Sequence, residues 1–332
     1  MPEAAADTIS VVSDRSIAVA IPCLNEAPTV AAVAADFRAA FPAATIYVYD
    51  NGSTDGTAQA ATAAGAVVRS ETTRGKGNVV RRIFADVDAE VFVLVDGDAT
   101  YPASAAPAMV ATLVDRQLDM VSGARTTSGR GAYRPGHRVG NALITGTIGL
   151  LFGRRFRDIL TGYRVLSRRF VKSFPALSAG FEIETEIAVH ALQMRLPATE
   201  VDVPYSERPT GSPSKLRTVR DGLAIARTIL VLIKEEKPFP LFAGVAVAFE
   251  AAATAVAWPL LAVYLATGLV PRLPTAVLAT GLALLGALSL AAGVLLDAIT
   301  RGRREAKRLQ YLRFPAPGGD ARDDESRACR HS

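Results

Sequence analysis

The stretch Val91–Ala103, VFVLVDGDATYPA, runs an apolar strand-like segment straight into Asp96 and Asp98, with Gly97 between them. Residues two apart on a strand share a face, and a turn at Gly97 can bring both carboxylates onto one ion. Mg2+ and Mn2+ prefer oxygen ligands, take one or two carboxylates, and complete their shell with substrate phosphates. An ion held in this way neutralises charge on a leaving diphosphate. The plainer reading of the same triplet is a polar turn, so the decision rests on what else the chain brings to the spot.

Three further groups are suited to a nucleotide. IPCLNE ends an apolar run with Asn25 and Glu26. YDNGSTDGT ends another with Asp50, placed to accept from a base N–H or a ribose hydroxyl. Asn51 to Gly56 read as turn chemistry, with Thr54 or Asp55 able to cap the helix that follows. RGKGN, Arg74 to Asn78, offers two glycines, two cations and a helix start, which suits a phosphate or a ribose. It is not a Walker A loop, which has longer glycine spacing and a Lys-Ser/Thr end.

The elements that must carry these groups alternate. IAVAIP, TIYVYD, AVVRS and VFVLVDGD read as strands. EAPTVAAVAADFRAAF, TDGTAQAATAAG and GKGNVVRRIFADV read as helices between them. That alternation predicts a three-layer α/β fold with a mostly parallel sheet and right-handed crossovers. Ligands bind such sheets at the carboxyl ends of strands, where Asp50 and Asp96 fall. Farther on, the pattern predicts helices near Ala105–Arg116 and Gly140–Phe152 and over GFEIETEIAVHALQM. It predicts strands at DMVSGAR and ATEVDVPYS.

The composition then changes. From Leu216, apolar residues recur at Val219, Leu223, Ala226, Leu230 and Ile233, with Arg217, Arg220, Arg227 and Lys234 off that face. A basic amphipathic helix of this kind lies well on an anionic membrane surface. Phe239–Val270 and Leu273–Leu296 are almost free of charge, and a bilayer-spanning helix needs about 20 apolar residues. They predict a transmembrane hairpin flanked by Lys and Arg on both sides, with only Arg272 in the connection, which puts the α/β domain in the cytoplasm. The expected organisation is a leader over 1–15, an α/β catalytic domain over 16–214 and a surface helix over 215–237. The hairpin follows over 238–300, then a basic and finally disordered tail over 301–332. Glu250 interrupts the first span; a carboxylate there should face another helix or be protonated. With Gly244, Ala248 and Ala252 it suits packing against copies of the same chain, hence a homo-oligomer.

Of the 332 residues, 50% are hydrophobic and the formal net charge is +5, with a mean hydropathy of +0.24. The positive balance suits an anionic partner, but no basic run is interleaved with aromatics, so nucleic acid is not expected. Cys23 and Cys329 make no disulfide framework, and His137, His190 and His331 stand too far apart for a histidine zinc site. The N-terminal MPEAAADTISVVSDRS has neither the basic nor the apolar region of a secretory signal.

Residues 17–235 resemble the family 2 glycosyltransferases of the GT-A fold, and more narrowly the dolichyl-phosphate mannose synthase and polyprenyl-phosphate glycosyltransferase branch. The motifs that carry this, in order, are IPCLNE, YDNGSTDGT, GKGNVVRR, VDGDATYP, DILTGYRVLSRR, GFEIETE and ERPTGSPSKL. The resemblance implies that Pro22, Asn25, Glu26 and Asp50 line the nucleotide pocket with Lys76 nearby. It implies that Asp96 and Asp98 hold Mg2+ or Mn2+ on the donor diphosphate and that Arg125 approaches the phosphates. Asp158, Gly162 and Arg164 would shape the sugar and acceptor pocket, while Arg208, Ser214 and Lys215 would clamp phosphate. Asp96, Asp98, Arg125 and Asp158 are the expected catalytic set. Two positions depart from the family pattern: Thr100 stands where a glutamine is common, and Asn51 where a second aspartate is common. The Q-x-x-R-W motif of processive synthases is absent, since the single tryptophan is Trp258.

The expected activity is inverting transfer of one sugar from a UDP- or GDP-sugar to polyprenyl phosphate at the cytoplasmic membrane face. A phosphate acceptor is already anionic, so its site needs cations more than a base. Transfer to a lipid or glycan hydroxyl is a second reading, with Glu182, Glu184 or Asp158 as base. A nucleotidyltransferase and a non-catalytic nucleotide-sugar binding protein are further readings.

Overall fold

The computed structural model describes residues 15–126, 156–206 and 237–317, together with 145, 146, 148, 149, 153, 231 and 234. The expected leader, most of the helix near 140–152, the loop with Arg208, Ser214 and Lys215, the amphipathic surface helix and the end of the tail lie outside the described residues.

The first strand, β1 (Ile17–Cys23), is buried on both faces, as a near-continuous apolar run in an inner parallel strand must be. The chain continues through α1 (Ala27–Ala40), β2 (Thr45–Asp50), α2 (Thr57–Ala63), β3 (Val67–Ser70) and α3 (Lys76–Asp86) to β4 (Val91–Leu94). After a short 3-10 turn come α4 (Ala106–Asp115), β5 (Met120–Thr126), β6 (Arg164–Ser167), α5 (Arg168–Ser173), α6 (Glu182–Gln193) and β7 (Ala198–Pro204). The seven strands lie in the order β3-β2-β1-β4-β6-β5-β7. This is the expected α/β fold of GT-A type. The sheet is parallel except at β6, which runs antiparallel to both β4 and β5.

Two features of this topology make the site. The chain builds β2 and β3 outward on one side of β1, then returns to add β4 on the other. The strand order reverses between β1 and β4, and there the crossover helices diverge to leave a crevice. Antiparallel β6 starts where β4 ends, with Leu94 paired to Arg164. Continuing that register by two residues sets Gly162 opposite Asp96. The alternation of apolar segments does not reveal β6, which is only four residues long and buried throughout.

One face of the sheet is covered by α1 and α4, which pack Val30, Val33, Phe37, Met109, Val110 and Leu113 against Val19, Ile21, Val93 and Val165. On the other side Phe84 of α3 meets Phe92 of β4 and Phe174 edge to face. His190 of α6 lies fully buried between Phe170 and Phe174, with the Ser173 hydroxyl 3.2 Å from Nε2. It is a core histidine.

The chain forms two compact units: residues 1–222 with 307–332, and residues 223–306. The second holds α7 (Pro238–Thr267) and most of α8 (Leu273–Tyr311). Their most apolar windows have mean hydropathies of 1.7 and 2.2, and only 11% of each window is covered by protein. At about 1.5 Å per residue both helices exceed the roughly 30 Å hydrocarbon core of a bilayer. They are the expected pair of apolar helices long enough to span a membrane. Gly268, left-handed at φ 70°, ends α7 where the sequence leaves its apolar run. Within this unit a groove of about 510 Å3 is lined by small residues, including Ala243, Ala246 and Ala287, with Glu250 and Thr254. A Cβ at Gly286 would stand 2.6 Å from Glu250 Oε1, so the glycine makes room for the carboxylate. Helix α8 continues past the expected boundary at residue 300 and stays helical through Tyr311.

Candidate active site

The carboxyl ends of β1, β2 and β4 bring four carboxylates within electrostatic reach of the buried thiol of Cys23. Burial raises that thiol well above its ordinary range, and Glu26, Asp96, Asp50 and Asp98 each raise it further. Negative charge is thus concentrated at the β1–β4 crevice. Gly97 has no side chain because a Cβ there would meet Cys23 Sγ at 2.5 Å. The turn between the two aspartates is therefore pressed onto β1.

The loops after β1 and β2 are laced together. Asn25, left-handed at φ 53°, donates its N–H to Ser53 Oγ, and its Oδ1 accepts from the Thr54 N–H. The Glu26 N–H donates to Thr57 Oγ1 and the Ala27 N–H to Asp55 Oδ2. Asp55 Oδ1 also accepts from the N–H of Thr57, which opens α2. Asp55 and Thr57 therefore do structural work, as the turn reading expects. Asp50 is buried and accepts from the Ser53 N–H. Asn51 is the hub. Its amide donates to the carbonyls of Glu71 and Thr73, and its Oδ1 accepts from the Gly75 N–H. An aspartate could make only the last of these three bonds.

Asp98 is almost fully buried. Its Oδ1 accepts from the Thr100 hydroxyl at 2.6 Å and from the Thr100 N–H at 3.2 Å. Thr100, the other departure from the family pattern, thus orients Asp98. Asp96 is the more open aspartate. Its Oδ1 accepts from Lys76, while its Oδ2 lies where a Cβ on Gly162 would be, 2.2 Å away. Among the described residues no group of three or more His, Cys, Asp or Glu side chains is gathered for a metal. Two carboxylates in a concentrated negative field, one of them open, fit an Mg2+ or Mn2+ ion whose remaining ligands come from phosphate and water.

Lys76 lies between two carboxylates, 2.5 Å from Asp96 Oδ1 and 2.6 Å from Glu184 Oε1. Burial opposes its charge, but Asp96 and Glu184 prevail and hold the ammonium above its ordinary range. The two glycines of RGKGN have a packing use. A Cβ on Gly75 would stand 2.2 Å from Ala179 O and one on Gly77 2.0 Å from Ser178 O. The Gly77 N–H donates to Gly180 O and the Asn78 N–H to Ala179 O. Protein carbonyls thus occupy donors at the start of α3 that the sequence offers to a phosphate.

The loop before β6 forms the opposite wall. Arg125 holds Asp158 in a two-pronged pair, Nε to Oδ2 at 2.7 Å and Nη2 to Oδ1 at 2.8 Å, and lies over the Tyr205 ring. Thr161 donates to Gly123 O, and Gly162 N–H donates to the Tyr101 hydroxyl. Arg164 is 1% exposed and donates to the carbonyls of Thr161 and Ile159. It holds the loop that carries Gly162. Burial depresses its guanidinium to about 10. From sequence Glu184 enters only as an alternative base and Cys23 only as an unpaired cysteine, while Tyr101 and Thr161 carry no site signal of their own. The GFEIETE motif was the signal for Glu184; the others lie in ordinary-looking apolar or turn segments. Pro22, in β1, is partly exposed.

The family described as glycosyl transferase family 2 matches residues 18–173. Protein RfbJ of Shigella flexneri is 56% identical over 124 residues, covering 37% of this chain and 96% of that protein. Glycosyltransferase AglJ of Haloferax volcanii is 36% identical over 305 residues, covering 90% of this chain and 98% of that protein. A dolichyl-phosphate hexose transferase of the same organism is 28% identical over 221 residues, covering 67% of this chain and 95% of that protein. Among solved structures, glucosyl-3-phosphoglycerate synthase from Mycobacterium tuberculosis, in complex with Mn2+, UDP-glucose and phosphoglyceric acid, superposes with a TM-score of 0.56. It is 22% identical and covers 69% of this chain and 82% of that one, a likeness of fold.

Proposed function

The chain belongs to glycosyl transferase family 2 and is a glycosyltransferase, and from that premise we propose that it moves one sugar from a nucleotide sugar to polyprenyl phosphate at the cytoplasmic face of a membrane. The observation that carries the proposal is the cluster of Glu26, Asp50, Asp96 and Asp98 at the β1–β4 crevice, in a chain that also carries two helices of bilayer length. The similarity to a dolichyl-phosphate hexose transferase supports the acceptor class.

In this reading Asp50 accepts from the base or ribose, and Pro22, Asn25 and Glu26 line the nucleotide pocket. Asp96 and Asp98 would hold the divalent ion, which supplies charge neutralisation for the leaving nucleoside diphosphate. A phosphate oxygen of the acceptor attacks the anomeric carbon from the opposite side. The bond to the diphosphate breaks, and its electron pair leaves with the diphosphate. No proton has to be removed from the acceptor. Two of the three candidate bases support this: Glu184 is tied to Lys76 and Asp158 to Arg125, while Glu182 is exposed at the start of α6. Arg125, fixed in orientation by Asp158, together with Arg208, Ser214 and Lys215, would hold phosphate, Arg by its fork and Lys as a point charge. Arg164 acts behind them by holding the loop of Gly162. Glu250 lies against Gly286 of the same chain, and Gly244, Ala248 and Ala252 suit contact with a second copy.

Incubation of membranes carrying the protein with labelled UDP- and GDP-sugars tests the reading. Label should enter the lipid phase and be released by mild acid, as a sugar phosphodiester requires. Acid-stable lipid label would instead indicate a hydroxyl acceptor. Asp98→Ala should abolish transfer while the protein remains folded and membrane-bound. Full activity in that variant would sink the cation site.

A further inference from the structure

Lys76 serves two carboxylates, and only one of them faces the crevice. Asp96 is 26% exposed by side chain, while Lys76 and Glu184 are 8% and 12% exposed. Lys76 opens α3 and Glu184 lies in the first turn of α6. The two helix starts are locked together by the backbone of 178–180 lying over Gly75 and Gly77. The three charged groups therefore sit on a rigid junction. The fully buried guanidinium of Arg164 also lies within electrostatic reach of Glu184. Glu184 thus answers two cations, Lys76 and Arg164, and shares the Lys76 ammonium with Asp96.

Without Glu184 that sharing fails. The full charge of the ammonium would then fall on Asp96, and the negative field that Asp96, Asp98, Asp50 and Glu26 build at the crevice would be weakened at the ligand meant to hold a divalent cation. We propose that Glu184 is a positioning residue for the cation site: it holds the Lys76 ammonium between two carboxylates, so that Asp96 keeps its attraction for the divalent ion that accompanies the donor. The same ammonium fixes the rotation of Asp96, with Oδ1 toward Lys76 and Oδ2 over Gly162. Glu184 itself touches neither donor nor acceptor. This inference rests on Asp96 and Asp98 being the cation ligands.

The test is Mn2+ binding to the full chain in detergent without any donor, read by electron paramagnetic resonance of the free ion. Glu184→Gln should weaken Mn2+ binding roughly tenfold, the scale for one charge close to a divalent ion at the effective dielectric of a protein site. Lys76→Met should tighten it. The double variant should return toward the wild-type affinity, because the two residues form one coupled unit. Glu184→Asp should retain most of the binding. In turnover, Glu184→Gln should raise the Mn2+ concentration needed for half-maximal rate more than it lowers kcat at saturating Mn2+.

Shifts of the same sign at both positions, or a lowered Tm with unchanged Mn2+ affinity, would overturn the proposal and leave Glu184 a purely structural residue. If Lys76→Met does not fold, the contrast between Gln and Asp at position 184 decides alone. Wild-type protein that binds no Mn2+, or Asp98→Ala protein that binds it normally, would defeat the cation site itself. Binding that Asp98→Ala abolishes and Glu184→Gln leaves untouched would defeat only the role of Glu184.

Discussion

Asn51 and Thr100 show what a departure from a family pattern can mean at the scale of one residue. From sequence, each reads as a missing functional group: one carboxylate fewer after β2, one ligand fewer after Asp98. In the folded chain each makes bonds that the common residue would make differently. Asn51 donates to two carbonyls and accepts from one N–H while 3% exposed, which ties the Glu71–Gly75 loop to the nucleotide side of the crevice. Asn51→Asp should therefore not restore a lost function. It would set a buried carboxylate against two carbonyls and cost about 2 kcal/mol or more. Thermal unfolding should show a clear fall in Tm with reduced transfer; an unchanged Tm would show that the amide bonds are not what fixes this loop. Asp96 and Asp98 were legible because a buried strand announces them. The partners that orient them, Thr100 and Lys76, were not, because a hydrogen bond depends on side-chain direction as well as spacing.

Among the elements, β1 to β4 could be read from alternating apolar runs and helical stretches because each is bounded by turn residues. β6 could not. Four residues in DILTGYRVLSRR give no period, and a buried antiparallel strand shows no polar face. Yet β6 positions Gly162 beside Asp96. The atoms nearest to a Cβ there are those of the Asp96 carboxylate, which Lys76 holds in place. Gly162→Ala should therefore turn that carboxylate away, lowering transfer by roughly a hundredfold, the scale for a misplaced catalytic group. Equal activity in the alanine variant would mean that Asp96 works in another rotamer. Helix α6 carries a different dependence. Burial, with a smaller push from Lys307, depresses His190 to about 3, below its ordinary value near 6.5. The unfolded chain thus takes up a proton below about pH 6.5 that the folded chain refuses. Stability is unaffected by His190 above that pH and falls as pH drops toward 3, by up to about 1.4 kcal/mol per pH unit. Between pH 7.5 and 5.5, Tm should fall less steeply in His190→Phe than in wild type; matching slopes would assign the acid sensitivity to other groups.

For the whole molecule, the pair of long apolar helices was legible because the two runs, with Glu250 the one charge inside them, are each of bilayer length, but its end was not. Charge at Arg301, Arg303, Arg304 and Lys307 marks the exit from an apolar segment, not the end of a helix, and Lys and Arg are good helix formers. Helix α8 therefore continues to Tyr311, where the chain has already rejoined the catalytic unit. The Tyr311 hydroxyl donates to Asp119, a fully buried carboxylate that also accepts from Ser167 and is gripped by Arg169. The Arg169 guanidinium lies 4.8 Å from the centre of the Tyr311 ring, and Lys307 donates to Gln193. The end of α8 thus closes over a charge at the base of β5. Tyr311→Phe removes one bond to a charged acceptor and should cost about 1.5–3 kcal/mol. Tyr311→Ala also removes the ring from Arg169 and should cost more, about 3–5 kcal/mol. Asp119→Asn should exceed Tyr311→Phe, because Arg169 then stays buried without its counter-charge. Thermal unfolding of the full chain in detergent ranks the three. A Tyr311→Ala protein as stable as wild type would mean that the C-terminal segment does not hold this contact in solution, and that the catalytic unit closes without it.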